Sequence, residues 1–227
     1  MLIAIDGPAA SGKGTAAKQL AKKLKFRHID SGAFYRVVAF YVFNMEMDPA
    51  RSAAVVAILP KINVTLKSDK SGERIFSRGR DITDEIRYHL VSGISSQVSS
   101  IPQVRKWVNS TVRKLTRGKN AVVEGRDIAT KVFPNADFKF YLDASLEERA
   151  KRRHLELQQR GSRVAFRQVK RDLADRDELD KNKPEGELKI ARDAIYVDST
   201  NMSSMEVVDF MNAKVKNARS QVKKKRV

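Results

Sequence analysis

The chain has 227 residues, 41% of them hydrophobic, which is enough for one sizeable core with a small inserted subdomain. Its formal net charge is +18, from 45 basic and 27 acidic residues, and it has no cysteine, which excludes disulfides and thiolate metal sites and fits a reducing cytoplasm. No apolar run approaches the roughly 18 residues of a transmembrane helix, and no basic stretch followed by an apolar run opens the chain, so neither a membrane span nor a secretory leader is predicted.

The first predicted element is the strand Leu2–Ile5. It runs into Gly7-Pro8-Ala9-Ala10-Ser11-Gly12-Lys13-Gly14-Thr15 and then the helical pattern AAKQLAKKLK. Glycine, four residues, Gly-Lys, set between a strand and a helix, is a phosphate-binding P-loop in its required context. Backbone N–H groups and the helix dipole bind phosphate oxygens, and Lys13 adds a full charge. The strict pattern has a hydroxyl directly after the lysine. Here Gly14 intervenes, and Thr15 is the candidate to approach Mg²⁺, directly or through water.

Phe26–Ile29 is a weaker second strand, followed by DSGAFYR, with Asp30 and Ser31 before a helix and Arg36 one turn inside it. Ser31 reads as a cap of the helix that follows. Residues 63–83 break the alternation of strand and helix. Their period-two pattern and the turns at Ser-Asp-Lys-Ser-Gly and Arg78-Gly79-Arg80-Asp81 predict a small antiparallel β-meander. Pro102 suits the first turn of a helix running to about Thr116. The strand Ala121–Glu124 leads to Gly125-Arg126-Asp127, and an arginine just beyond a strand's C-terminal end faces the crevice where such sheets bind ligands.

Phe138–Leu142 is the next strand, and Ser145-Leu-Glu-Glu148 fits a capping box. The stretch 151–176 carries nine Lys/Arg against three acids, and RDELDKNK, 176–183, lies past this arginine-rich helix. Ala194–Val197 is a fifth strand, and Ser203-Ser-Met-Glu206 opens a last helix in which Val208, Met211, Val215, Ala218 and Val222 make one apolar stripe. Residues 222–227 form a basic tail expected to be disordered. The alternation predicts a P-loop α/β fold, a doubly wound five-stranded parallel sheet with a small antiparallel β insert.

A P-loop defines the phosphoryl donor and leaves the acceptor open. Arginines at three crevice segments, with Arg36, Arg126 and Arg176, imply a second anionic substrate. His28, His89 and His154 form no spaced cluster for a metal, and with aromatics at 7% and no recognised motif, no specific nucleic-acid binding is expected despite the charge.

GPAASGKGT, DSGAFYR, SSQVSSIPQVR (95–105), EGRDIATKVFP (124–134), FYLDASLEERAKRR (140–153) and RDELDKNK occur in this order. Together they resemble the bacterial cytidylate kinase family of nucleoside monophosphate kinases over essentially the whole chain. The resemblance implies transfer of the γ-phosphoryl of ATP to CMP or dCMP, with Mg²⁺, in pyrimidine nucleotide metabolism, by a cytoplasmic and monomeric enzyme. It implies a core of 1–60 and 100–227, a CMP-binding insert at 61–99, and a short lid at 154–167 over ATP. By position, Gly7–Thr15 and Arg152 resemble the ATP ligands, and Ser31, Arg36 and Arg126 the acceptor-phosphate ligands. Ser96, Arg105 and Asp127 resemble the cytosine readers, and Arg176 and Asp180 the pair facing the ribose. Lys13, Arg36 and Arg126 are the expected catalytic side chains. Two departures stand out: Glu124 ends the strand where the family commonly has Asp, and Lys183 replaces an arginine, keeping the charge but losing the planar fork.

Overall fold

The computed structural model describes residues 1–69, 72–159, 161–183 and 185–224. Backbone contacts divide the chain into two units, 1–28 with 119–227, and 29–118.

In the first unit the apolar runs form the strands β1 (Leu2–Asp6), β6 (Ala121–Gly125), β7 (Phe138–Asp143) and β8 (Ile195–Asp198), and β2 (Arg27–Asp30) begins there. The five-stranded parallel sheet has the order β2-β6-β1-β7-β8. β1 is central, with Leu2 opposite Ala121 and Ile3 opposite Phe138. Every residue of β6 is buried, as expected for a strand covered on both faces. Lys139, an interior charge in β7, is also buried, and its Nζ reaches Asp193 at 2.8 Å. The register sets Asp6 opposite Gly125 and Tyr141, so the C-terminal ends of these parallel strands lie at one end of the sheet.

Helices α1 (Lys13–Leu24) and α8 (Ser204–Lys224) pack together with Ile3, Ile5, Val122, Phe140 and Leu142 in one core. From the predicted stripe of α8, Val208, Met211 and Val215 are buried in that core. Of the predicted tail, residues 222–224 continue α8; residues 225–227 lie outside the described residues. Helices α6 (Leu146–Gln159) and α7 (Phe166–Lys181) form a second cluster through Ala150, Val169 and Leu173, joined by Ala9 of the P-loop. One expectation is corrected here. The segment Arg176–Lys181 does not follow the arginine-rich helix but forms the last turns of α7.

In the second unit α2 (Ser31–Asn44) is apolar on most sides, with Phe34, Val37, Val38 and Val42 buried, and it packs against α4 (His89–Val98) and α5 (Pro102–Thr116). A short α3 (Ser52–Ile58) precedes the meander β3 (Val64–Asp69), β4 (Gly72–Ser77) and β5 (Arg80–Asp81), which is antiparallel as predicted. The first predicted turn includes residues 70 and 71, outside the described residues. At the second, Arg78 and Gly79 both have positive φ, 49° and 82°, the two-residue hairpin geometry that matches strand twist. Pro102 is at the start of α5, where its missing N–H costs no hydrogen bond.

Candidate active site

The loop Gly7–Thr15 leaves the end of β1 and closes on the N-terminus of α1. Gly7 is required by space: a Cβ there would lie 2.0 Å from the Leu142 carbonyl oxygen. Gly12 is left-handed at φ 89°, and no side chain caps α1, so the amides of its first turn face the loop as an anion site. Lys13 Nζ donates to the Pro8 carbonyl at 2.9 Å, folding the ammonium over the loop. Ser11 is fully buried, and its hydroxyl has no partner among the described residues. Gly14 answers to a different neighbour. A Cβ on it would meet the Glu124 carboxylate oxygens at 3.2 and 3.4 Å, so the residue that breaks the strict motif leaves room for an acid. Glu124 is itself buried and lies 3.0 Å from His28 Nε2.

Arg152 sits on this loop. Its Nη1 donates to the Ser11 carbonyl at 3.4 Å and to Ser199 Oγ at 3.1 Å, its Nη2 to the Ser199 carbonyl at 2.7 Å, and Glu148 takes its Nε at 3.0 Å. With Ala10, Gly12, Thr15 and Met202 it lines a cleft of about 490 Å³. Glu148 explains why the first capping box is half formed: its N–H bonds Ser145 Oγ at 3.3 Å, but its carboxylate holds Arg152, and the Ser145 N–H goes to Thr200.

A second cluster gathers Arg126, Arg176 and Asp180. Asp180 is 4% exposed, and its two oxygens accept Arg126 Nε and Lys183 Nζ, each at 2.8 Å, with Arg176 Nε at 4.0 Å. Burial alone would raise the Asp180 carboxyl, but the Arg126 and Lys183 charges outweigh it and hold it well below the usual carboxylate range. Asp127, also buried, heads a π-helical turn, Ile128–Val132. The amides of Ile128 and Ala129 donate to the two carboxylate oxygens of Asp6 at 2.9 and 2.7 Å. Burial pushes the Asp6 carboxyl up to about 6, against the pull of those two amides.

In the second unit Asp30, not Ser31, caps α2, accepting the Ala33 N–H at 3.2 Å, while buried Ser31 is the first helical residue. Arg36 Nη1 reaches back to Asp30 Oδ2 at 3.3 Å. Arg105 on α5 is 6% exposed, far more buried than a surface-facing arginine. Its Nη1 donates to the Ser99 carbonyl at 3.1 Å, and its guanidinium lies 5.6 Å from the Tyr35 ring centroid. Ser96 is half-buried on α4.

Three buried groups escaped the sequence reading: Asp6, Arg149 and Ser199. Arg149 bonds the Ala144 carbonyl at 2.9 Å, the Ala9 carbonyl at 3.3 Å and Asp177 at 2.6 Å, so it ties the P-loop to α6 and α7. Only Asp6 had a legible signal, an acid ending an apolar strand. Among the described residues no group of three His, Asp or Glu could hold a metal, and no helix is long and apolar enough to cross a membrane.

The family model described as cytidylate kinase matches residues 3–217. A protein of Caldanaerobacter subterraneus named cytidylate kinase is 43% identical over 207 residues, 91% of each chain. One of Halalkalibacterium halodurans with the same name is 42% identical over 216 residues, 95% of this chain and 97% of the other. The crystal structure of an uncharacterized protein from Eubacterium ventriosum superposes with a TM-score of 0.51 at 11% identity, covering 95% of this chain and 98% of that one, which extends the likeness at the level of the fold.

Proposed function

The chain belongs to the cytidylate kinase family, phosphotransferases that move the γ-phosphoryl of ATP to CMP or dCMP, and from that premise we propose how its residues divide the work. Gly7–Thr15 and Arg152 hold ATP. Ser31, Arg36 and Arg126 hold the acceptor phosphate. Ser96, Arg105 and Asp127 read cytosine, Arg176 and Asp180 face the ribose, residues 61–99 form the acceptor-binding insert, and 154–167 close over ATP. The observation that carries this reading is the uncapped, glycine-bracketed N-terminus of α1 with Lys13 folded over it.

Repulsion between two anionic substrates opposes the reaction, and charge spreads over the transferring phosphoryl. Lys13 neutralises the donor, while Arg36 and Arg126 neutralise the acceptor and hold its oxygen in line. Because that oxygen is already ionised, no side chain has to remove a proton. Lys183 and Asp180 keep the Arg126 fork oriented through a buried ion pair.

The donors beside the P-loop fit Mg²⁺. The Thr15 hydroxyl and the Glu124 carboxylate near Gly14 are hard oxygen donors that would hold it. When bound, the ion neutralises charge on the phosphate oxygens. The enzyme is read as cytoplasmic and monomeric. A panel of nucleoside monophosphates with ATP, followed by coupled ADP release, tests the substrate assignment. CMP and dCMP should be preferred, and equal or better turnover of UMP, AMP or GMP would refute it.

A further inference from the structure

Asp6 ends β1 immediately before the P-loop and is 1% exposed. Both of its oxygens are taken by backbone from elsewhere in the chain, the amides of Ile128 and Ala129. Those two residues open the π-helical turn, whose start is anchored in turn by Asp127, since its carbonyl accepts Lys131 and Val132 at 2.8 and 3.2 Å. The strand register sets Asp6 opposite Gly125, so the chain leaves the sheet beside Asp6 and is fastened back to it within three residues. An amide side chain here could accept one N–H but would point its own NH₂ at the other, leaving a buried donor unpaired. Only a carboxylate of this length supplies two acceptors and no donor. Between the strand end and the two clamped amides lie Arg126 and Asp127, whose side chains leave the main chain one or two residues from the fixed bonds.

We infer that Asp6 is a positioning residue for acceptor recognition: by clamping the Ile128 and Ala129 amides it fixes the main chain at Arg126 and Asp127 while touching neither substrate. The inference rests on the assignment of Arg126 and Asp127 to the acceptor. It makes β1 a strand with two functional outputs, since its next residue begins the donor loop.

The test compares full-length wild type, Asp6→Asn and Arg126→Ala. Amide hydrogen exchange is read at Ile128 and Ala129, with Val122 and Val123 of β6 as reporters of the sheet, together with kcat/KM for CMP and KM for ATP. In Asp6→Asn, exchange at 128 and 129 should quicken by about 10-fold or more, as expected when about 1.4 kcal/mol of protection is lost, and kcat/KM for CMP should fall by a similar factor. Exchange at Val122 and Val123 and KM for ATP should stay within about threefold. Exchange that quickens equally at Val122 and Val123 overturns the inference, because Asp6 then supports the sheet as a whole. If Arg126→Ala lowers kcat/KM for CMP and Asp6→Asn does not, the positioning role falls and the assignment of Arg126 stands. If neither lowers it, both fall.

Discussion

Lys13 is the first residue of α1, and its Nζ bonds the Pro8 carbonyl of its own loop. Lys13→Ala removes the charge proposed to act on the transferring group, so kcat should drop by about 10²-fold or more. The fold should persist, which an unchanged circular dichroism melt would check. The P-loop residues and Arg126 were legible because glycine spacing and an arginine after a strand are chemical signatures. Asp6 showed only as an acid ending an apolar strand, and its amide partners, like the Ala9 carbonyl and Asp177 carboxylate bound by Arg149, lie far away in sequence, so no local pattern encodes them. Asp6 also predicts a pH effect on stability. Its folded pKa of about 6 lies above the ordinary carboxyl value of 3.8 because burial disfavours the charge. The folded state therefore binds the extra proton between those values, and the cost of burying the charge grows as pH rises from about 4 to 6. Asp6→Asn lacks that term. The stability of wild type relative to Asp6→Asn should therefore decline across this window and level off above it, measured by urea unfolding at each pH. A flat difference would contradict the shift.

At the scale of elements, two predicted capping boxes had different outcomes. Ser203 and Glu206 form the full reciprocal pair, with the Ser203 N–H on Glu206 at 2.8 Å and the Glu206 N–H on Ser203 Oγ at 3.3 Å. Ser203→Ala should cost about 1 kcal/mol of unfolding free energy with kcat unchanged, measured by urea denaturation. At Ser145 the same spacing gave half a box because Glu148 is drawn to Arg152 beside the P-loop. A charge pair four residues apart on the same helix outweighed the capping hydrogen bond, and the Ser145 N–H turns to Thr200 instead. Strands β1 and β6 were legible almost to the residue because burial on both faces leaves uninterrupted apolar runs, whereas β2 is only partly buried and shows a weaker signal. Helix α7 was not, since its last turns, Arg176–Lys181, are almost wholly charged and carry no apolar period, with Asp180 buried by ion pairs instead.

At the scale of the whole molecule, the net charge of +18 is concentrated in the arginine-rich stretch, 151–176, and in residues 214–227, which hold seven basic residues and no acid. Deleting residues 222–227 removes four of those charges. CMP kinase activity should hold and retention on heparin should weaken, since the term lost is nonspecific electrostatics. The central claim is that neighbouring residues, Arg126 and Asp127, serve the acceptor phosphate and the base separately. The measurement that tests it most directly is kcat/KM for CMP and UMP in wild type, Arg126→Ala and Asp127→Ala. Arg126→Ala should raise KM and lower kcat for both acceptors alike. Asp127→Ala should lower CMP more than UMP and narrow their ratio by about 10-fold, because an unpaired buried base contact is worth about 1–3 kcal/mol. A CMP/UMP ratio unchanged in Asp127→Ala would contradict the account.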